Sequence, residues 1–130
     1  MSKKKSYNFI INHGTYPFDL MVSIGESDEV LFPKLQKKLP DEFHYAIQEY
    51  ASFKPTTCGR YVMFPNGASL LRLRDAPITS KYKAVLAHEI FHCVEFLFDK
   101  IGIKHDIDAS SEAYAYQIEY LTGSVYDKIK

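Results

Sequence analysis

Disulfides, an excess of charge and long apolar runs are all missing from this chain, and each absence removes a class of protein. Cys58 and Cys93 are the only cysteines in 130 residues, too few for a disulfide framework, so both are expected to stay as thiols. Sixteen basic residues balance sixteen acidic ones, and the single basic run is Lys3-Lys4-Lys5 at the start. A nucleic-acid-binding face needs a concentration of positive charge that this balance does not provide. No segment approaches the roughly 18 apolar residues of a membrane span, and Phe9-Ile10-Ile11 is far too short for a signal-peptide core. The expectation is a soluble, cytoplasmic protein with no nucleic-acid or membrane partner. Repeats, low-complexity tracts and linker-like stretches are also absent.

What is present is 46% hydrophobic and 15% aromatic, enough for one domain with a real core, so residues 1–130 are read as a single domain. Tyr7 to Asn12 and Phe18 to Ile24 read as two short strands joined by turn chemistry in His13-Gly14-Thr15-Tyr16-Pro17. Ser27 to Leu39 and Asp41 to Ser52 have helical character, separated at Pro40-Asp41. Tyr61 to Phe64 and Ala68 to Arg74 flank Pro65-Asn66-Gly67, a strong hairpin signal. Leu71 and Leu73 are expected to face inward and Arg72 and Arg74 outward. A helix capped by Thr79 or Ser80 is expected to run to about Lys100 and stop at Gly102. After a polar loop from Lys104 to Ala109, Ser110 or Ser111 is placed to cap a last helix ending near Leu121.

The run Leu86-Ala87-His88-Glu89-Ile90-Phe91-His92 contains an HExxH motif. Histidines four apart on a helix lie about 40° apart round the axis and roughly 6 Å along it, so both imidazoles can serve one ion. Zinc accepts neutral imidazole nitrogen in a tetrahedral shell, and a catalytic site keeps one position for water. Glu89 is placed to take that water's proton. From Ala84 to Phe98 every residue outside the motif is apolar except Glu95, which suggests a helix buried on nearly all sides. Two core histidines bonded to backbone carbonyls would be the bland alternative, but it leaves Glu89 without a role. Cys93 points about 100° from His92 and reads as a small core residue.

A third protein ligand is expected. Glu112, twenty residues after His92 and in the first turn of the next helix, is the leading candidate. Glu95 is nearer, but a straight helix rarely wraps three ligands round one ion; its other role is an acceptor behind the ligands or an ion-pair member. His105, Asp106 and Asp108 also qualify, or form a solvated loop. An oxyanion donor is sought among Tyr114, Tyr116, Tyr120 and His105, although tyrosines at helical spacing more often pack. Arg60, Arg72 and Arg74 read as a solvated strand face, with an acidic substrate group as the alternative ligand. His13 and His44 read as surface or packing residues.

Together, His88-Glu89-Ile90-Phe91-His92 and Ser111-Glu112-Ala113-Tyr114-Ala115-Tyr116 resemble the HExxH-plus-Glu arrangement of gluzincin-type metallopeptidases, and are similar to the small ImmA/IrrE-type peptidases and phage-encoded minimal zincins. The likeness covers about residues 79 to 121, Gln117 departs from an E-A-x-x-F-A pattern, and the Asn-Gly hairpin resembles the zincin edge strand. The resemblance implies an α+β, minimal zincin-like fold, with a small, mostly antiparallel sheet packed on a buried HExxH helix and a following ligand-bearing helix. It also implies Zn²⁺ on His88, His92 and Glu112, with Glu89 as general base in peptide-bond hydrolysis of a protein or peptide substrate, in the host cytoplasm if phage-encoded. The competing expectations are a zinc-binding, non-catalytic interaction protein and a hydrolase of non-peptide amides such as cell-wall bonds.

Overall fold

The structure is a computed structural model that describes residues 5–12, 16 and 19–129. Most of the turn expected between the first two strands (His13, Gly14, Thr15 and Pro17), together with Phe18, Lys3 and Lys4, lies outside the described residues. The strands on either side of that turn are β1 (Tyr7–Asn12) and β2 (Asp19–Ile24), paired antiparallel from Tyr7 opposite Ile24 to Asn12 opposite Asp19. Next comes helix α1 (Asp28–Lys38), capped by the Ser27 side chain, which accepts from Val30 N. Pro33 lies inside α1, where it costs one backbone donor.

The second helical stretch is not one helix. It is a 3₁₀ turn (Asp41–Phe43), a short α2 (His44–Ala46) and a π-helical turn (Ile47–Ala51). The His44 Nε2 lies 3.0 Å from the carbonyl oxygens of Gln36 and Leu39, which makes this side chain a cap for the end of α1. Strands β3 (Gly59–Met63) and β4 (Ser69–Leu73) then form the expected antiparallel hairpin. Its turn is closed by Gly67 N to Phe64 O at 2.9 Å and Phe64 N to Ala68 O at 2.8 Å, with Gly67 at φ 89°. Glycine reaches that left-handed conformation without a Cβ penalty.

The sheet order is β1-β2-β4-β3, and β2 pairs with β4 in parallel, from Leu20 opposite Ser69 to Ile24 opposite Leu73. The fold is α+β with a mixed sheet, two of its three pairings being antiparallel. Alternation along the strands sends Leu20, Val22, Ile24, Leu71 and Leu73 into a core shared with α3 (Ser80–Lys100) and α4 (Ser111–Lys128). Met21, Val62 and Leu70 enter a second core, with Leu31 and Leu35 of α1 and Ile47 of the π turn. The sheet is therefore covered on both faces, and β4 lies inside it. This corrects the expectation for Arg72. It is 1% exposed, because an internal strand covered on both faces has no solvent side.

Helix α3 lies over β3 and β4, while α4 packs on α3 and reaches β1. Thr79 caps α3 by accepting from Tyr82 N. Its far end is a Schellman turn, with Gly102 N bonded to Asp99 O and Ile103 N to Phe98 O, and Gly102 at φ 84°. Helix α4 runs well past Leu121, to Lys128, and Gly123 inside it does not take the positive φ of a helix stop. Its cap residue is Ser110, whose hydroxyl instead accepts from Asp106 N and donates to Lys104 O, bracing the preceding loop.

Candidate metal centre and groove

Burial along α3 is one-sided. Leu86, Glu89, Ile90, Cys93, Val94, Leu97 and Phe98 are buried, whereas Ala84, Ala87, His88 and Phe91 are exposed. The expectation of a helix buried all round is corrected here: among the described residues α4 is the only helix beside α3 in its layer, so the outer face of α3 keeps its apolar residues in solvent. Cys93 is the core residue expected from its direction, and burial pushes its thiol up to about 12.

The motif takes up the geometry that its spacing implies. His88 Nε2 and His92 Nε2 are 3.2 Å apart, and the two rings meet edge to face with centroids 4.7 Å apart. Two nitrogens bound to one tetrahedral zinc at about 2.0–2.1 Å would stand about 3.3 Å from each other. The other nitrogen of His92, Nδ1, faces Glu95 Oε1 at 3.3 Å. A carboxylate behind a histidine fixes its tautomer and aims the free nitrogen, so Glu95 takes the accompanying role weighed for it above. Phe96 stacks beside His92 with ring centroids 6.3 Å apart.

Glu89 is on the buried side, 7% exposed, against the first residue of β3. A Cβ on Gly59 would lie 3.1 Å from Glu89 Cγ and Oε2, so only glycine lets the strand come this close without displacing the carboxylate. Burial pushes the Glu89 carboxyl above its ordinary value, against the opposing pull of His88, His92 and Arg60. A carboxylate tuned upward is better matched to proton transfer near neutral pH.

These side chains open into a groove of about 510 Å³ lined by His88, Glu89, His92 and Phe96 of α3, by residues 59–63 of β3, and by Tyr50. Because β3 is the last strand in the sheet order, the groove follows an edge of the sheet, to which no further strand is paired among the described residues. Tyr61 forms part of its floor, 5.5 Å from Phe96 by ring centroids, and burial pushes its hydroxyl upward in pKa.

Glu112 is in the first turn of α4, as expected, but is exposed. Its neighbour two residues on, Tyr114, packs edge-on to Phe98 at 4.6 Å and to His105 at 4.8 Å. Residues two apart on a helix point about 160° apart, so Glu112 is on the side of α4 away from those contacts. Among the described residues no three His, Cys, Asp or Glu side chains converge as a metal-binding group. Tyr114, Tyr116, Tyr120 and His105 do not line the groove; Tyr120 instead donates to Asn12 O at 2.6 Å. Sequence reasoning passed over Tyr50, Gly59 and Phe96. Gly59 opening a strand was the one signal that could have marked a close approach.

Comparison with family models, curated proteins and solved structures returns no match for this chain. No helix among the described residues is long and apolar enough to cross a membrane.

Proposed function

We propose that the chain is a zinc-dependent peptidase whose groove along β3 holds an extended peptide beside the HExxH helix. The observation that carries this reading is the 3.2 Å spacing of the two Nε2 atoms, with the buried Glu89 between them in sequence and an open groove in front. The donor set suits zinc, since both aligned atoms are imidazole nitrogens and one is backed by a carboxylate. His88 and His92 would hold the ion; Glu112 is the third ligand that the sequence pattern offers, but it is exposed on the side of α4 away from Phe98, so its place in the site rests on the zinc content of its variant.

When bound, zinc would polarise the scissile carbonyl and acidify an attacking water. Glu89 takes the proton from that water and returns it to the leaving amine, the work of a general acid and base. Glu95 holds His92 in one tautomer. The free edge of β3 offers backbone groups to which an extended peptide can add as a strand, and Gly59 keeps room for Glu89 beneath it.

The rival reading is a zinc-binding interaction protein that cleaves nothing. A purely structural ion needs no base beside it, so the presence of Glu89 next to His88 favours catalysis. The deciding experiment is zinc stoichiometry by elemental analysis on wild type, His88→Ala, Glu112→Ala and Glu95→Ala. One zinc per chain, lost or weakened in the first two variants and kept in the third, supports the ligand set. No zinc after reconstitution overturns it.

A further inference from the structure

Three arginines stand on the β3–β4 hairpin, and their guanidinium groups are used differently. Arg72 gives Nη1 to Asp28 and to Ala51 O, and Nη2 to Glu26 O. Arg74 gives Nε to Thr57 O and Nη2 to Lys54 O. Arg60 gives only Nε, to Tyr50 O at 2.6 Å, and among the described residues it forms no ion pair. The strand alternation that turns Gly59 and Tyr61 toward α3 starts Arg60 on the other face of the sheet, level with Arg72. Arg60 is nevertheless among the residues of the groove lining, and its Nε is held by the carbonyl of Tyr50, another lining residue, with no hydrogen bond from either terminal nitrogen among the described residues. Apart from the histidines, Arg60 and Glu89 are the only ionisable groups of opposite charge in that lining, and Glu89 is enclosed beneath Gly59.

Resting on the peptidase reading above, we infer that Arg60 determines specificity by binding a carboxylate of the peptide close to the bond that is cut. A guanidinium fixed through Nε presents its terminal nitrogens as a planar fork, a geometry suited to a two-point bond with a carboxylate. Apart from the ion that His88 and His92 would hold, the remaining lining, with Tyr50, Tyr61, Val62, Met63 and Phe96, offers that carboxylate no competing cation. The carboxylate comes from an Asp or Glu side chain or from the end of the peptide.

The test uses the full zinc-loaded chain and tripeptides that carry an N-terminal hydroxamate as a zinc-chelating group. They have Asp or Asn at the first or second residue, and each is prepared as the free acid and as the C-terminal amide. Calorimetric titration should give at least one acid about tenfold tighter than its neutral partner, the difference expected of a single charge-assisted contact. An Asp over Asn difference names an acidic side chain, and an acid over amide difference names the chain end. Arg60→Gln should bring the ratio near one, and Arg60→Lys should keep part of it. Equal binding of acids and neutral partners by wild type overturns the inference and leaves the peptidase reading standing. So does Arg60→Gln weakening both members equally, the signature of a brace for Tyr50. If no hydroxamate binds a chain that holds one zinc, the groove reading fails and the inference fails with it.

Discussion

Gly59 and Glu89 meet where β3 crosses α3, so closely that a Cβ added to Gly59 would lie 3.1 Å from the Glu89 carboxylate and 2.6 Å from Val85 Cγ1. Gly59→Ala must therefore push the strand off the helix or turn both side chains aside. The expected cost is about 1–3 kcal/mol, as for other overpacked sites, measured by urea denaturation, together with a loss of zinc-dependent hydrolysis. An unchanged denaturation midpoint would show that the interface gives way freely.

Glu89→Gln keeps the shape of the side chain and removes its basicity. The variant should bind zinc as wild type does and lose hydrolysis by about 10²–10⁴-fold, the usual contribution of general acid and base catalysis. Hydrolysis at the wild-type rate would exclude Glu89 as the base.

Arg72 is a buried cation whose partners depend on it. Its Nη1 lies 2.6 Å from Asp28 Oδ1, and Phe53 covers the guanidinium with its ring 3.9 Å from the central carbon. Arg72→Ala leaves Asp28 and two backbone carbonyls without their donor and opens a void, so a loss of about 3–5 kcal/mol is expected. Asp28→Asn should cost less, because Asp28 is one-third exposed and water can replace part of the contact. Equal losses in the two variants, read from chemical denaturation, would refute this ordering.

Acid should destabilise the protein partly through Glu26. Burial alone would raise its pKa, but hydrogen bonds from Lys34, Asn8 and Ser23 outweigh it and bring the carboxyl below its ordinary value of 4.5. A carboxyl with a lower pKa folded than unfolded stabilises fully above about pH 4.5, and that contribution disappears as pH falls through the folded value. The stability gap between wild type and Glu26→Gln should therefore be widest at neutral pH and close below about pH 4.5. A gap that does not change with pH would place the effect in packing.

The sequence signals that carried over were local ones. Thr79 as a cap, Gly102 as a stop and the Asn66-Gly67 turn each depend on a few adjacent residues, and each stands in the structure where the pattern put it. The burial of Arg72 was not legible, because it depends on β2 pairing in parallel with β4 and on α1 covering that face, relations between distant segments. The apolar run around the motif misled for a related reason. Apolar composition marks a preference for burial, but among the described residues no further layer meets the outer face of α3. The His88–His92 pair was legible because helical spacing alone fixes it, whereas the groove depends on where β3 and Tyr50 arrive.

The parallel contact of β2 with β4, along which the Ser69 hydroxyl bonds the Asp19 carbonyl fifty positions away, also bears on the order in which the molecule assembles. Closing so long a stretch of chain sacrifices entropy before any contact repays it. The β3–β4 hairpin and α3 are continuous in sequence and need no such closure. Refolding should accordingly gather the groove-bearing segment first and dock the N-terminal hairpin last. The slow step then belongs to β2, and the chemistry-bearing residues lie in the part of the chain that has already folded.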